Sequence, residues 1–234
     1  MLLCHYNLWR PRKNPKWPRI LMYHNTSEEE PASGMNIKPE TFKKQLKYLI
    51  SKKYTFLKVS DLPNFHPTVN HVVLTFDDGF VSNYTYIFPI LKKYKIPATI
   101  YLTPNIHTSN YLNEDQIKDM QDSGLIEFGA HTMNHINLTK VDNDTALKEI
   151  IDSKKAVEDL TDVPCLSFAY PYGRFEQRHI QMVEEAGFTT AVTTKKQIVA
   201  FKDSHHLALP RLSVSGQIDS TQFYLLMTRG RFKL

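Results

Sequence analysis

Residues 71–79 read His-Val-Val-Leu-Thr-Phe-Asp-Asp-Gly, an apolar, β-rich run that ends in two adjacent carboxylates and a glycine. An apolar run without alternation suits a strand covered on both faces, as in a parallel sheet. Two carboxylates leaving such a strand are costly unless a cation is near. Neighbouring side chains on an extended chain point in different directions, so Asp77 and Asp78 can divide their work between a metal and a water or substrate. Asp-Gly is also a common turn dipeptide, and alone the triplet would serve a solvated turn equally well.

Outward from this stretch, short apolar runs alternate with helical patterns. Upstream, the pattern predicts a strand over 19–24 and a helix over 39–53, with Pro39 in its first turn and Phe42, Leu46, Leu49 and Ile50 on one face. Downstream it predicts a helix over 83–94 despite Pro89, a strand over 98–102, and a helix over 114–122 capped by Asn113 and stopped near Gly124. Strands over 126–130, 166–170 and 189–194 follow, separated by helices over 144–160 and 176–186, the latter closed by Gly187. Runs over 207–214 and 220–228 complete the pattern. Strands alternating with helices imply βαβ units, an α/β class and a parallel sheet. About seven such units in one domain fit a closed or partly closed barrel better than an open sheet.

The chain has 234 residues, 41% hydrophobic and 23% charged, which is enough for a sizeable core. Its two cysteines, Cys4 and Cys165, are too few and too far apart for a disulfide framework or a zinc cage, so any metal must use His and carboxylate ligands. The net charge is 29 − 24 = +5. Arg10, Arg12, Lys13, Lys16 and Arg19 fall within residues 1–20 with no acidic residue, so this end supplies the excess. Residues 1–18 read as a basic arm, and 19–234 as the folded domain. With Leu2, Leu3, Trp9 and Trp17 the arm offers a peripheral contact for an anionic membrane, although a solvated basic terminus is the plainer reading. His5, Asn7 and Arg10 interrupt the apolar run of a signal peptide. No stretch reaches the ~18 consecutive apolar residues of a spanning helix. The expected location is cytoplasmic, or exported if a signal has been trimmed. Outside the arm the charge is balanced and no nucleic-acid motif is present, so no nucleic acid is expected as a partner.

Two further segments follow strand candidates. His131-Thr132-Met133-Asn134-His135 carries histidines at i and i+4, which share one face if the backbone is helical and can then chelate one ion. A carboxylate from another strand end would complete a two-histidine, one-carboxylate site with positions open for water. Taken singly, such a pair is more often just a surface feature. Phe168-Ala169-Tyr170-Pro171-Tyr172-Gly173 ends in a rigid turn that could aim the Tyr172 amide N–H at developing negative charge, or could be an ordinary strand-to-helix turn. In parallel α/β folds the ligand site lies at the carboxyl ends of the strands, where all three segments would converge.

Taken in order, Thr75-Phe76-Asp77-Asp78-Gly79, His131-Thr132-x-x-His135 and Pro171-Tyr172-Gly173 resemble the motifs of the polysaccharide deacetylases of carbohydrate esterase family 4, the NodB-homology domain. Leu21-Met22-Tyr23-His24 and the run 168–173 look most like the branch that de-N-acetylates poly-N-acetylglucosamine. The resemblance spans roughly residues 19–214. It implies a distorted (β/α) barrel of about seven parallel strands, a divalent metal, usually zinc, and a glycan substrate. Carried over, it makes Asp77 the general base, Asp78, His131 and His135 the metal ligands, and the Tyr172 amide the oxyanion donor. The family pattern has an arginine where this chain has Ala169, so Arg211 is expected to supply a bidentate partner for Asp77 from another strand. The family's late histidine acid has no clean counterpart, and His24, at the end of the first strand, is the candidate acid or substrate contact. His205 and His206 precede a strand and sit at the wrong end. A glycan-binding module with a vestigial metal site, and a related deformylase or acetyl esterase, are the alternatives.

Overall fold

The computed structural model describes residues 11–106, 108–201 and 205–232. Strand β1 (Arg19–Tyr23) opens the fold, and the short β2 (Asn25–Thr26) and β3 (Asn36–Ile37) pair with each other beside it. Helix α1 (Pro39–Ser51) begins at its proline, where the missing N–H costs nothing, and buries Phe42, Leu46 and Leu49. After β4 (Thr55–Leu57) and a 3₁₀ turn over Val59–Asn64 come β5 (His71–Phe76), α2 (Phe88–Tyr94) and β6 (Ala98–Leu102). A wide π turn over Asn83–Ile87 precedes α2. Pro89 cannot donate to the Thr85 carbonyl, which explains the loosened turn ahead of it. Helix α3 (Glu114–Asp122) starts on a reciprocal cap between Asn113 and Gln116. The chain continues through β7 (Ile126–Ala130), α4 (Asn143–Thr161), β8 (Ser167–Ala169), α5 (Gln177–Glu185), β9 (Thr190–Val192), β10 (Leu212–Ser213) and α6 (Ser220–Arg229).

Seven parallel strands in the order β10-β1-β5-β6-β7-β8-β9 curl into a barrel-like sheet, with β4 added beside the first half of β5. A parallel bridge between Val192 and Leu209 brings the two ends together. The continuous strand expected over 207–214 is therefore broken: a 3₁₀ turn occupies His206–Ala208, and pairing with β1 resumes only at Leu212. Pro210 has no N–H to give a ladder.

The two faces of the strands carry different cores. On β5, Val72, Leu74 and Phe76 face outward into the large core under the helices. Val73 faces the barrel interior with Ile20, Tyr101, Ala169, Val192 and Leu209, and Val59 and Leu62 of the 3₁₀ turn belong to the same cluster. Gly129 belongs to this interior because a Cβ there would stand 2.6 Å from the Tyr101 ring.

Residues 11–18 are not simply a solvated terminus. The Lys13 N–H donates to the Thr228 carbonyl at 2.8 Å, and Arg12 Nη2 donates to the Tyr224 hydroxyl at 2.8 Å, so this part of the arm is laid along α6. Leu2, Leu3, Cys4, His5, Asn7, Trp9 and Arg10 lie outside the described residues. No helix among the described residues is long and apolar enough to cross a membrane.

Candidate active site

Strand periodicity builds the site. Side chains alternate along a strand, so the position two past an inward residue points inward again. Val73 is inward on β5, and Thr75 and Asp77 follow it to the carboxyl end. Gly129 leads in the same way to His131 on β7, and Ile20 leads through Met22 to His24 on β1. Three strands thus deliver Asp77, His131 and His24 to one end of the barrel.

Asp77 and Asp78 take different directions, as their adjacency allows. Asp77 is buried and receives both ends of the Arg211 fork, Nη1 to Oδ1 at 2.6 Å and Nη2 to Oδ2 at 2.7 Å. Arg211 itself is fully buried; its Nε donates to the Thr193 carbonyl and its Nη1 to Thr75 Oγ1, each at 3.0 Å. Burial alone would raise the Asp77 carboxyl, but the guanidinium outweighs it and holds the group at about 2. His24 Nε2 stands 3.9 Å from Asp77 Oδ2.

Asp78 turns away, with a left-handed φ of 73°, towards the histidines. Its Oδ1 lies 3.6 Å from His131 Nε2 and 3.4 Å from His135 Nε2. That oxygen is buried and accepts no hydrogen bond from the described residues. Burial, aided by the Asp77 charge, pushes the Asp78 carboxyl up to about 6. Burial lowers His131 to about 4 and also lowers His135, so both imidazoles are neutral at pH 7. His131 Nδ1 donates to the Ala169 carbonyl at 2.6 Å, which fixes its tautomer and leaves the Nε2 lone pair facing Asp78. His135 Nδ1 pairs with the Tyr172 hydroxyl at 3.1 Å. One ligand atom from each of Asp78, His131 and His135 lies within 4.8 Å of the others. An orphaned carboxylate oxygen beside two neutral imidazoles is a donor set that fits a divalent cation.

The backbone between the histidines is not helical. Thr132 and His135 both take left-handed φ values, 62° and 52°, and Met133 is tied by its carbonyl to the Asn105 N–H at 3.0 Å. The two rings meet, 4.8 Å apart, because an irregular loop doubles back rather than because they share a helix face. Tyr172 also has a positive φ of 60° and is 57% exposed, and its amide N–H has no acceptor among the described residues. Its hydroxyl contact with His135, like the Thr75 and Thr193 contacts of Arg211, was not anticipated from the sequence. The position of Thr75, two before Asp77 on a strand, was the available signal. A cavity of about 410 Å³ opens beside Asp78 and Gly79 towards Thr103, Tyr111 and Asn113. Of the aromatics near the site, Tyr170 is buried core and Phe80 stacks on Tyr111 at 5.1 Å.

A parallel β/α barrel with a set of residues at its strand ends that could hold a metal has the outline of a barrel hydrolase. The chain belongs to the polysaccharide deacetylase family, whose signature matches residues 66–191. It is 29% identical over 221 residues to YxkH of Bacillus subtilis (strain 168), covering 92% of this chain and 77% of the relative. Poly-beta-1,6-N-acetyl-D-glucosamine N-deacetylase of Staphylococcus aureus (strain MRSA252) is 26% identical over 227 residues, covering 89% of this chain and 77% of that protein. Among solved structures, the Streptococcus pyogenes deacetylase PplD in complex with acetate superposes with a TM-score of 0.83 at 27% identity, over 92% of this chain and 99% of PplD.

Proposed function

We propose that residues 19–234 form a hydrolase that removes N-acetyl groups from a GlcNAc-type amino sugar in a polysaccharide or glycan precursor, with zinc as its metal. The observation that carries this reading is the convergence of Asp78 Oδ1 with two neutral imidazoles beside an arginine-clamped Asp77. The name of the Staphylococcus aureus relative supports a GlcNAc polymer as the substrate class.

Asp78, His131 and His135 are the proposed ligands. A divalent ion held there supplies Lewis-acid polarisation of the amide carbonyl and makes a water more acidic. Asp77, ionised at every working pH, orients the attacking water and accepts its proton in the transition state. A carboxylate held this low is a weak base, so orientation by Arg211 carries more of its contribution than proton affinity does. The Tyr172 amide faces the developing oxyanion, and His24 protonates the leaving amine.

The test is acetate release from GlcNAc oligomers by the zinc-supplemented protein, with metal content measured alongside. Asp78→Ala is expected to lose both metal and turnover. His24→Gln is expected to keep its metal and lose turnover by about 10²–10⁴-fold. A folded, metal-loaded wild type that releases no acyl group from N-acetyl sugars would overturn the reading, and release from N-formyl or O-acetyl substrates instead would redirect it.

A further inference from the structure

A cleft of about 520 Å³ opens between three segments distant in sequence, around residues 11–13, 195–198 and 229–231. Lys13, Lys195, Lys196, Arg229 and Arg231 line it, and no acidic side chain among the described residues does. Among the described residues none of these five joins an ion pair. Arg229 Nε is buried in the protein with no acceptor among the described residues. The walls are fixed to the fold: Lys13 is bonded to Thr228 through its backbone, Ile198 packs on Gly230, and the Lys195 carbonyl accepts the Arg211 N–H at 3.1 Å.

Five like charges around one concavity repel one another and focus a positive potential. Arg229 lies in the last turn of α6, where the helix dipole favours a cation. That accounts for one of the five and leaves Lys13, Lys195, Lys196 and Arg231 gathered without an acidic partner among the described residues. Guanidinium forks and ammonium groups gathered in this way match the oxygens of a phosphate, which carries more charge and more acceptors than a carboxylate.

We propose that this cleft is a binding site, separate from the metal donors, for a ligand bearing phosphate groups, whether free in solution or carried on a lipid headgroup. The recognised chemistry is the phosphate. A neutral glycan offers hydroxyl acceptors but no charge to balance these cations.

Two probes on the full chain test this: inorganic pyrophosphate by calorimetry, and co-sedimentation with vesicles of phosphatidylglycerol in phosphatidylcholine. Saturable binding of at least one probe is expected, falling with added salt. Lys196→Glu/Arg231→Glu should weaken it by about tenfold or more, with the thermal midpoint unchanged because both side chains are exposed. Arg229→Gln, with a smaller change in charge, should weaken it less. Pyrophosphate binding alone would identify a soluble phosphate as the source, and vesicle binding alone a lipid headgroup. Binding of neither probe above the pure phosphatidylcholine background, or binding by the double variant equal to wild type, would overturn the proposal.

Discussion

Arg211 shows how much one side chain organises here. It is fully buried, bridges both oxygens of Asp77, is held by Thr75 and the Thr193 carbonyl, and lies over the Tyr101 ring with its Cζ 5.7 Å from the centroid. A buried ion pair returns little net stability, because desolvating two charges offsets most of their attraction. What the pair does provide is direction, since a planar fork on two oxygens allows the carboxylate one orientation. Lysine offers a point charge that cannot bridge both oxygens. In Arg211→Lys, kcat for acetate release should fall by about 10²-fold, the effect of a misplaced reacting group, with KM little changed and metal content per folded chain retained. Full activity in that variant would remove Arg211 from the mechanism.

At the scale of elements, legibility followed burial. Strands β5, β6 and β7 are buried at every position but Glu127 and could be read to the residue as 71–76, 98–102 and 126–130, and Asn113 marked the start of α3. Strand β4 escaped because Thr55–Leu57 is only three residues long and none of them is buried, so it carries no apolar run. The loops escaped for another reason. Asp78, Thr132, His135 and Tyr172 all take positive φ without being glycine, so residue type gave no sign of the bends that bring the site together. Those conformations are imposed by tertiary contacts, as is the role of Glu127. Its carboxylate accepts from Thr99 Oγ1 at 2.6 Å and from the Val59 and Ser60 amides, which ties the 3₁₀ turn to β6 and β7. Burial raises its folded-state pKa, against the opposing effect of these bonds. For a carboxyl raised on folding, the folded state holds the proton more tightly than the unfolded chain. This residue's contribution therefore falls as pH rises from the ordinary glutamate value to the raised one, then levels off. Glu127→Gln should flatten the urea-unfolding free energy across that window. An unchanged slope would mean that the carboxyl is not desolvated in solution.

The whole molecule is closed by contacts between its two ends. Arg19, buried at the start of β1, donates through Nε to the Met227 carbonyl 208 residues away at 3.0 Å. Its Nη1 donates to the carbonyls of Asn14, at 2.8 Å, Pro15, at 3.0 Å, and Trp17. No carboxylate among the described residues pairs with it; burial lowers its pKa, and backbone oxygens carry the compensation. One guanidinium thus joins the segment before β1, the first strand of the barrel and the last helix. Removing it would leave several partly buried carbonyls without a donor, at roughly 1–3 kcal/mol for each one that water cannot reach. Arg19→Ala should therefore lose on the order of 3 kcal/mol, or about 6–12 °C in thermal midpoint for a chain of this size. Arg19 begins β1, whereas the metal donors follow the carboxyl ends of their strands. Below its transition the variant should therefore bind as much zinc per folded chain as wild type. Lost zinc binding at an unchanged midpoint would show the opposite, that the clasp acts on the site rather than on the fold.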